Sequence, residues 1–323
     1  MDNLTHSLVG LMMSRAGFDR KFAHAAPLMI LAANIPDVDI VMGLGGSLSY
    51  LKWHRSYTHS LAGSPLMALV PLLILMAFRV RPTLLAYFFC WLGVLSHLVL
   101  DWTNIYGIRM FLPFSEQWLR LDQTDVVDPW IWAMLLLAVA APAMARLVGS
   151  EIGGRAAKSP KRGWAWFAIL AVLSYEGARF TLHSRALAIL GAHTFNGTIP
   201  KQLAAVPDRM NPLRWRGIAI GENFVVNVPV DLGTDFDPTA GRIDYAPEPG
   251  PAIDAARKTP AFDGFLKFNQ LPFWKLTPTP DGTRVELIDL RFGTPSNTGF
   301  EASALVDAAG QVYDAQFRFG QPR

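Results

Sequence analysis

The stretch His54-Arg55-Ser56-Tyr57-Thr58-His59-Ser60 lies between two hydrophobic regions of the chain. Upstream of it is Ile35-Pro36-Asp37-Val38-Asp39, and downstream is His97-Leu98-Val99-Leu100-Asp101. All of these segments place imidazoles or carboxylates in apolar surroundings, where a charged group is costly unless it is paired or binds a metal. We therefore predict that they assemble one metal site at a face of a membrane.

The composition indicates a membrane protein. The chain has 323 residues, of which 51% are hydrophobic and 17% charged, and its mean hydropathy is +0.24. Soluble domains carry about 25% charged residues. The formal net charge of +3 is modest, and the inner loops of membrane proteins collect lysine and arginine. We therefore expect no nucleic acid among the partners.

Cysteine usage restricts the metal chemistry. Cys90 is the only cysteine, so an intramolecular disulfide is impossible and any metal must be bound by His, Asp, Glu or water. The N-terminal residues 1–6 have no basic region and no small-residue cleavage site, and we expect no removable signal peptide.

Hydrophobic periodicity predicts an α-helical integral membrane domain over residues 1–182. Residues 4–17 and 22–35 each form a helical run of about 14 residues, which is short of the roughly 20 needed to span the hydrocarbon, so we predict a shallow or re-entrant hairpin. The predicted spanning helices cover residues 61–78, 83–102, 128–148 and 163–181.

The distribution of basic residues predicts an orientation. The most basic loop contains Arg146, Arg155, Lys158, Lys161 and Arg162, and such loops face the cytoplasm. Threading the chain outward from this loop places every candidate ligand, and all residues after about 182, on the outer face. We predict a multi-pass protein of the plasma (inner) membrane.

The C-terminal part has a different character. From about residue 200, Pro, Gly and Asp are frequent and no apolar run reaches spanning length. We predict a small, mostly β soluble domain over 213–323 on the outer side, joined by a connecting segment at 183–212. Its predicted strand regions are 218–230, 265–276, 283–292 and 301–319.

The metal-ligating pattern is clearest at His97 and Asp101. These residues are i and i+4 on a predicted helix, so they share one face, as in other helical zinc motifs. The alternative is that Asp101 only meets the membrane interface while His97 bonds a carbonyl group. Both interpretations stay open from the spacing alone.

The stretch 54–60 combines histidines with an arginine. His54 and His59 are i and i+5, which would point apart on a continuous helix, so we place one in a loop and the other in a first turn. Arg55 is suited to holding a phosphate or carboxylate with two hydrogen bonds. The alternative for Arg55 is an interfacial anchor that reaches lipid headgroups.

Asp37 and Asp39 flank a single residue, so both can face one centre in an extended or turn segment. Two close carboxylates repel unless a cation neutralises them. If one of them is not a ligand, it would serve as a general base. The predicted ligands are His6, Asp37, Asp39, His54, His59, His97 and Asp101. This nitrogen and oxygen set suits Zn²⁺ first and Mn²⁺ second.

The order of these motifs carries a family resemblance. Thr5-His6, Ile35–Asp39, His54–Ser60 and the His-x-x-x-Asp of His97–Asp101 resemble the YdjM-type membrane-bound, metal-dependent hydrolases over roughly residues 1–180. That family is similar in ligand pattern to helical zinc-dependent phospholipases C and single-strand-specific zinc nucleases.

The resemblance implies a ligand set. It assigns the metal to His6, Asp37 or Asp39, His54, His59, His97 and Asp101. The chain has no second clear His-x-x-x-Asp, so we expect one or two ions rather than the larger cluster of the distant relatives.

We derive two functional hypotheses. In the first, the protein is a hydrolase in which metal-activated water attacks an ester, namely a phosphoester of a membrane lipid or lipid-linked substrate, at the outer face. Asp37 and Arg55 are then its catalytic residues. In the second, the metal site is structural and the outer β domain binds a partner or an envelope component. The sequence makes no prediction of the oligomeric state.

Overall fold

A computed structural model gives the structure of residues 1–151 and 161–320. The predicted loop residues Arg155 and Lys158 lie outside this described part. The chain divides into two compact units, the first formed by residues 1–39, 55–181 and 209–212, and the second by residues 40–54, 182–208 and 213–323. The boundaries predicted at 182 and 212 stay a prediction.

The N-terminal region is helical and the C-terminal region contains two sheets, which confirms the predicted fold class. The α-helices are α1 (Asn3–Arg15), α2 (Ala25–Asn34), α3 (Ser47–Trp53), α4 (Ser64–Met67), α5 (Leu69–Ala77), α6 (Leu84–Thr103), α7 (Pro129–Glu151), α8 (Lys161–Gly191), α9 (Pro251–Arg257) and α10 (Pro260–Phe268). Segments of 3-10 helix cover Phe18–Arg20, Ile35–Gly45, Tyr57–His59 and Pro238–Ala240.

Within the described residues, the segments long and apolar enough to cross a membrane are Ala25–Gly45, Leu84–Thr103 and Pro129–Val148. The last two agree with the predicted spans 83–102 and 128–148. The first was predicted to be too short, but the helix continues through Pro36 as a 3-10 segment. Pro36 sits in the first turn of that segment, where its missing N–H group is not needed.

The predicted span 61–78 is interrupted. It consists of the short helices α4 and α5, and only the bent pair Ser47–His59 with Ser64–Ala77 would together reach spanning length. Helix α8 begins near the predicted start of the last span but continues to Gly191. The multi-pass topology and the outward orientation of the C-terminal part therefore stay predictions.

Helix α2 lies at close range to both α1 and α6. A Cβ atom added at Gly10 of α1 would lie 2.6 Å from the carbonyl oxygen of Met29, and one added at Gly93 of α6 would lie 2.9 Å from Cβ of Ala32. His6 is one turn before Gly10, and His97 is one turn after Gly93. The glycine contacts therefore bring these two histidines to the same end of the helix trio.

The second unit contains two antiparallel four-stranded sheets. The first has the order β1 (Gln202–Pro207), β2 (Arg214–Ile220), β3 (Phe224–Asp231) and β4 (Arg242–Tyr245). The second has the order β5 (Pro272–Thr279), β6 (Gly282–Asp289), β7 (Phe300–Val306) and β8 (Val312–Phe319). The segment 183–212, predicted as a connection, contains the end of α8 and strand β1.

The strand predictions are correct where alternation is strong and wrong at one place. Residues 218–230 and 301–319 contain the hairpins β2–β3 and β7–β8. Residues 265–268, predicted as strand, belong instead to helix α10, because Pro260 starts a helix and the aromatic side chains recur at helical spacing. The buried aromatic residues of α10 are Phe262, Phe265 and Phe268.

A buried arginine joins the two sheets of this unit. Arg216 on β2 donates hydrogen bonds to the carbonyl oxygens of Leu290 and Arg291, each at 2.9 Å. Burial lowers the pKa of Arg216 to about 10, so this side chain is still charged at neutral pH. The contacts fix β2 to the segment that follows β6.

Candidate metal centre

Side chains from different segments of the first unit converge on one point. Asp37 comes from the 3-10 segment after α2, His59 from the short 3-10 turn, and His97 and Asp101 from α6. One nitrogen or oxygen atom of each lies within 4.8 Å of the others. The prediction that His97 and Asp101 share a helical face towards one centre matches this arrangement.

The separations fit a single divalent ion. Nε2 of His59 lies 3.0 Å from Nε2 of His97. The distances from these nitrogens to Oδ1 of Asp37 and Oδ2 of Asp101 are 3.3, 3.4, 3.4 and 3.6 Å. A tetrahedral ion with bonds of ~2.0–2.1 Å holds its ligand atoms about 3.3 Å apart. The site therefore has the size of a tetrahedral zinc position.

The hydrogen bonds of the two imidazoles direct their Nε2 atoms towards the cluster. Nδ1 of His97 lies 2.7 Å from the carbonyl oxygen of Ala33, which can only accept, so Nδ1 carries the proton and Nε2 carries the lone pair. Nδ1 of His59 lies 3.0 Å from the Thr58 hydroxyl oxygen. Because that hydroxyl gives its single proton to Asp39 at 2.7 Å, Nδ1 of His59 is the donor and its Nε2 carries the lone pair. The two Nε2 lone pairs then face each other, a repulsive arrangement that a cation between them would relieve.

Asp39 lies behind His59. Its Oδ2 accepts hydrogen bonds from the Thr58 hydroxyl at 2.7 Å and from the backbone N–H of Arg55 at 2.9 Å. The same oxygen lies 3.3 Å from Nδ1 of His59. A carboxylate behind a ligating histidine commonly fixes its orientation. The two aspartates predicted as equivalent candidates thus have different surroundings, because Asp37 faces the cluster and Asp39 supports His59.

His6 is buried beside the cluster, and its ring nitrogens make no hydrogen bond to any described residue. Its side chain is 0% exposed, its ring stacks on His97 with 3.7 Å between centroids, and its Nε2 lies 3.5 Å from Oδ1 of Asp101. Neither ring nitrogen of His6, nor Oδ2 of Asp101, has a hydrogen-bond partner in the described part of the chain. Buried polar atoms are normally paired. These atoms therefore fit a centre completed by a bound cation.

His54 lies in the second unit, at the C-terminal end of α3, where its ring stacks on Tyr50 with 4.4 Å between centroids. Its role as a ligand stays a prediction.

Arg55 is directed towards the cluster rather than towards solvent. It is 3% exposed, its Nη2 lies 3.1 Å from Oδ1 of Asp101, and its Nη1 donates to Oδ1 of Asn104 at 3.3 Å. The guanidinium also lies 4.6 Å from the ring centre of Tyr106. The role of Arg55 in holding an anionic group stays a prediction. In this structure its guanidinium is instead paired with Asp101 and Asn104.

Asn104 belongs to the site but was not predicted from the sequence. Its Nδ2 donates to Oδ1 of Asp101 at 3.2 Å, and its Oδ1 accepts from the backbone N–H of Tyr106 at 2.8 Å. The available signal was the spacing Asp101-x-x-Asn104 at the end of a helix, followed by Gly107 in a turn. The amino group of Met1 also contacts Oδ1 of Asp101.

Asp37 is the most exposed of the four residues. The side chain of Asp37 is 12% exposed, whereas those of His59, His97 and Asp101 are 0% exposed. A small molecule that approaches the cluster would therefore meet Asp37 first.

The fold and the site together define a membrane protein with a buried His/Asp cluster that could hold a metal. The model of the YdjM inner membrane protein family matches residues 1–186, and the chain belongs to that family. This confirms the resemblance inferred from the motifs.

Two further comparisons found matches. Residues 251–319 match the YfhP C-terminal alpha/beta plait domain. The uncharacterized protein YfhP of Bacillus subtilis (strain 168) is 29% identical over 149 residues, which is 43% of this chain and 46% of that protein. The chain therefore matches about half the length of this relative. No solved structure matches the chain.

Proposed function

We propose that the protein is a membrane-bound, metal-dependent hydrolase that cleaves a phosphoester of a lipid or lipid-linked substrate. The observation that carries this proposal is the convergence of Asp37, His59, His97 and Asp101 on one ion-sized position. A zinc or manganese ion bound there would supply Lewis-acid chemistry and lower the pKa of water towards neutrality.

The surroundings of each residue indicate whether it would bind the ion or accept a proton. His59, His97 and Asp101 would hold the ion, with His97 oriented by the carbonyl of Ala33 and His59 by Asp39. Asp37 stands at the exposed side, where water and substrate would enter. The carboxylate of Asp37 would bind the ion. If the carboxylate is not bound to the ion, it would instead accept a proton from the attacking water.

The surface beside the site favours a lipid substrate. The backbone N–H of Leu61 donates to the carbonyl oxygen of Met110 at 2.9 Å, so the loop that contains Phe111 and Phe114 lies alongside the segment that carries His59. Leu61, Phe111 and Phe114 are 43%, 48% and 89% exposed. Segments that lie in the membrane interface bury side chains such as Phe and Leu at the boundary between the headgroups and the acyl chains. This supports a site that opens where phospholipid esters are found.

A structural metal site is the second candidate, because four protein ligands would close a tetrahedral zinc position. Water-proton relaxation of the Mn²⁺-loaded protein separates the two functions. A catalytic centre keeps an exchangeable water and enhances relaxation, whereas a closed structural centre does not.

The function is tested by assaying the detergent-purified protein, reconstituted with Zn²⁺ or Mn²⁺, on phospholipid in mixed micelles and on a soluble phosphodiester. We expect hydrolysis of the lipid that a chelator abolishes and added metal restores. A protein that binds neither metal after reconstitution would rule the proposal out.

A first prediction concerns the depth of the exposed loop. A nitroxide attached to Phe114→Cys should collide more often with oxygen than with a water-soluble nickel complex, because the tip of the loop would enter the boundary between the headgroups and the acyl chains, where oxygen dissolves and the nickel complex does not. Labelling would be selective, since Cys90, the only native cysteine, is 0% exposed. Power-saturation electron paramagnetic resonance in liposomes measures both accessibilities.

The matched control for this measurement is Tyr245→Cys on β4, where the native side chain is 63% exposed. That label should favour the nickel complex. Equal, water-like accessibility at both positions would contradict a membrane-facing loop while leaving the metal centre untouched.

A further inference from the structure

We infer that Arg55 occupies, as a fixed cation, the place that a second metal ion would take beside Asp101, so that the centre binds one ion. This inference rests on the proposed function, because it concerns the same metal centre. It also makes Arg55 a positioning residue that acts through Asp101.

The two oxygens of the Asp101 carboxylate have different neighbours. Oδ2 faces the cluster, at 3.3 Å from Nε2 of His59 and 3.4 Å from Nε2 of His97. Oδ1 faces the opposite way, towards Arg55 and His6, at 3.1 and 3.5 Å. In two-metal hydrolases the ions lie about 3.5–4 Å apart. A bridging Asp101 would offer Oδ1 to the second ion, and His6 would be its next ligand.

That second position is already filled by positive charge. The Arg55 guanidinium is always protonated in proteins, and its Nη2 takes the bond to Oδ1 that a metal would form. A doubly charged ion placed there would meet the guanidinium at short range in a buried site, where repulsion between like charges is poorly screened.

Arg55 is also held too firmly to move aside. Nη1 donates to Oδ1 of Asn104 and to the carbonyl oxygen of Gly107 at 3.3 and 3.4 Å, and the Tyr106 ring covers the guanidinium. Its backbone N–H donates to Asp39. Arg55 therefore connects Asp101, a ligand, with Asp39, the support of the ligand His59. Arg55 is thus a fixed counter-ion of the Asp101 carboxylate rather than a mobile side chain that closes on a substrate.

The primary test is the stoichiometry of the full-length wild-type protein, dialysed against excess Mn²⁺ and measured by plasma mass spectrometry and electron paramagnetic resonance. We expect one Mn²⁺ per chain with the spectrum of an isolated ion. Two ions per chain, or the spectrum of an exchange-coupled pair, would overturn the inference but leave the hydrolase proposal standing. Failure to bind any Mn²⁺ or Zn²⁺ would instead refute both.

Two variants test whether Arg55 is the cause. Arg55→Gln removes the charge and should allow a second Mn²⁺ to bind between Asp101 and His6, raising the stoichiometry from one to two with a coupled spectrum. Arg55→Lys keeps the charge and should restore one ion. If the glutamine variant still binds a single ion, Arg55 is not what excludes the second. If the glutamine variant does not fold, the wild-type and lysine stoichiometries still decide, because two ions in either one contradict the inference.

Discussion

Replacing His97 with alanine is expected to empty the metal centre and abolish hydrolysis. The substitution removes Nε2, which lies 3.0 Å from Nε2 of His59 and 3.4 Å from Oδ2 of Asp101, and the remaining ligands are too few to hold a zinc ion firmly. Residues that only support a ligand change affinity by about 10–100-fold. We therefore expect the affinity for Zn²⁺ to fall by more than ~100-fold, as measured by competition with a chelating dye.

The matched control is His24→Ala, because His24 is an exposed histidine of the same unit at the start of α2. It should bind metal and hydrolyse substrate as the wild type does.

A chelator gives a second measurement. A ligand present at 100 times its Kd stabilises a protein by about 2.7 kcal/mol, so removing metal should lower the melting temperature of the wild type and of His24→Ala but not that of His97→Ala. If His97→Ala retains wild-type metal content, the centre does not lie where we place it.

The part of the site that the sequence predicts is the part that depends on local geometry. His97 and Asp101 are four residues apart on one helix, and the spacing of a helix alone brings them to a common face. The sequence also predicts the helices α6 and α7, because an apolar run of about 20 residues indicates a transmembrane helix. Short, interrupted runs such as α4 and α5 are compatible with several structures, so their helices are not predicted in the same way.

The part that could not be predicted depends on contacts between distant segments. Arg55, which is far away in the sequence, bonds both Asp101 and Asn104. The roles of Asp37 and Asp39 depend on a 3-10 helix that the hydrophobic pattern does not distinguish from a loop. With about three residues per turn, side chains two positions apart in such a helix point in different directions. One aspartate therefore faces the ion position and the other turns to His59.

This difference predicts a contrast between Asp37→Asn and Asp39→Asn. Both substitutions remove one negative charge and keep the size of the side chain. Asp37 Oδ1 lies 3.4 Å from Nε2 of His59 and 3.6 Å from Nε2 of His97, so an amide there loses a charged ligand and the proton acceptor. We expect Asp37→Asn to lose at least about 10³-fold in kcat, since general-base catalysis alone contributes 10²–10⁴-fold.

Asp39→Asn should behave differently, because Asp39 Oδ2 accepts from Thr58 and Arg55 and reaches the cluster only through His59. Its amide oxygen can still accept one of these hydrogen bonds. We expect one bound ion per chain at saturating Zn²⁺, with affinity lower by about 10–100-fold, as for other residues that orient a metal ligand. A metal titration and the kcat measured at saturating Zn²⁺ together distinguish the roles of Asp37 and Asp39. Added zinc should restore most of the activity of Asp39→Asn and little of that of Asp37→Asn. The reverse pattern would exchange the two roles, and it would place the ion on the Asp39 side of His59.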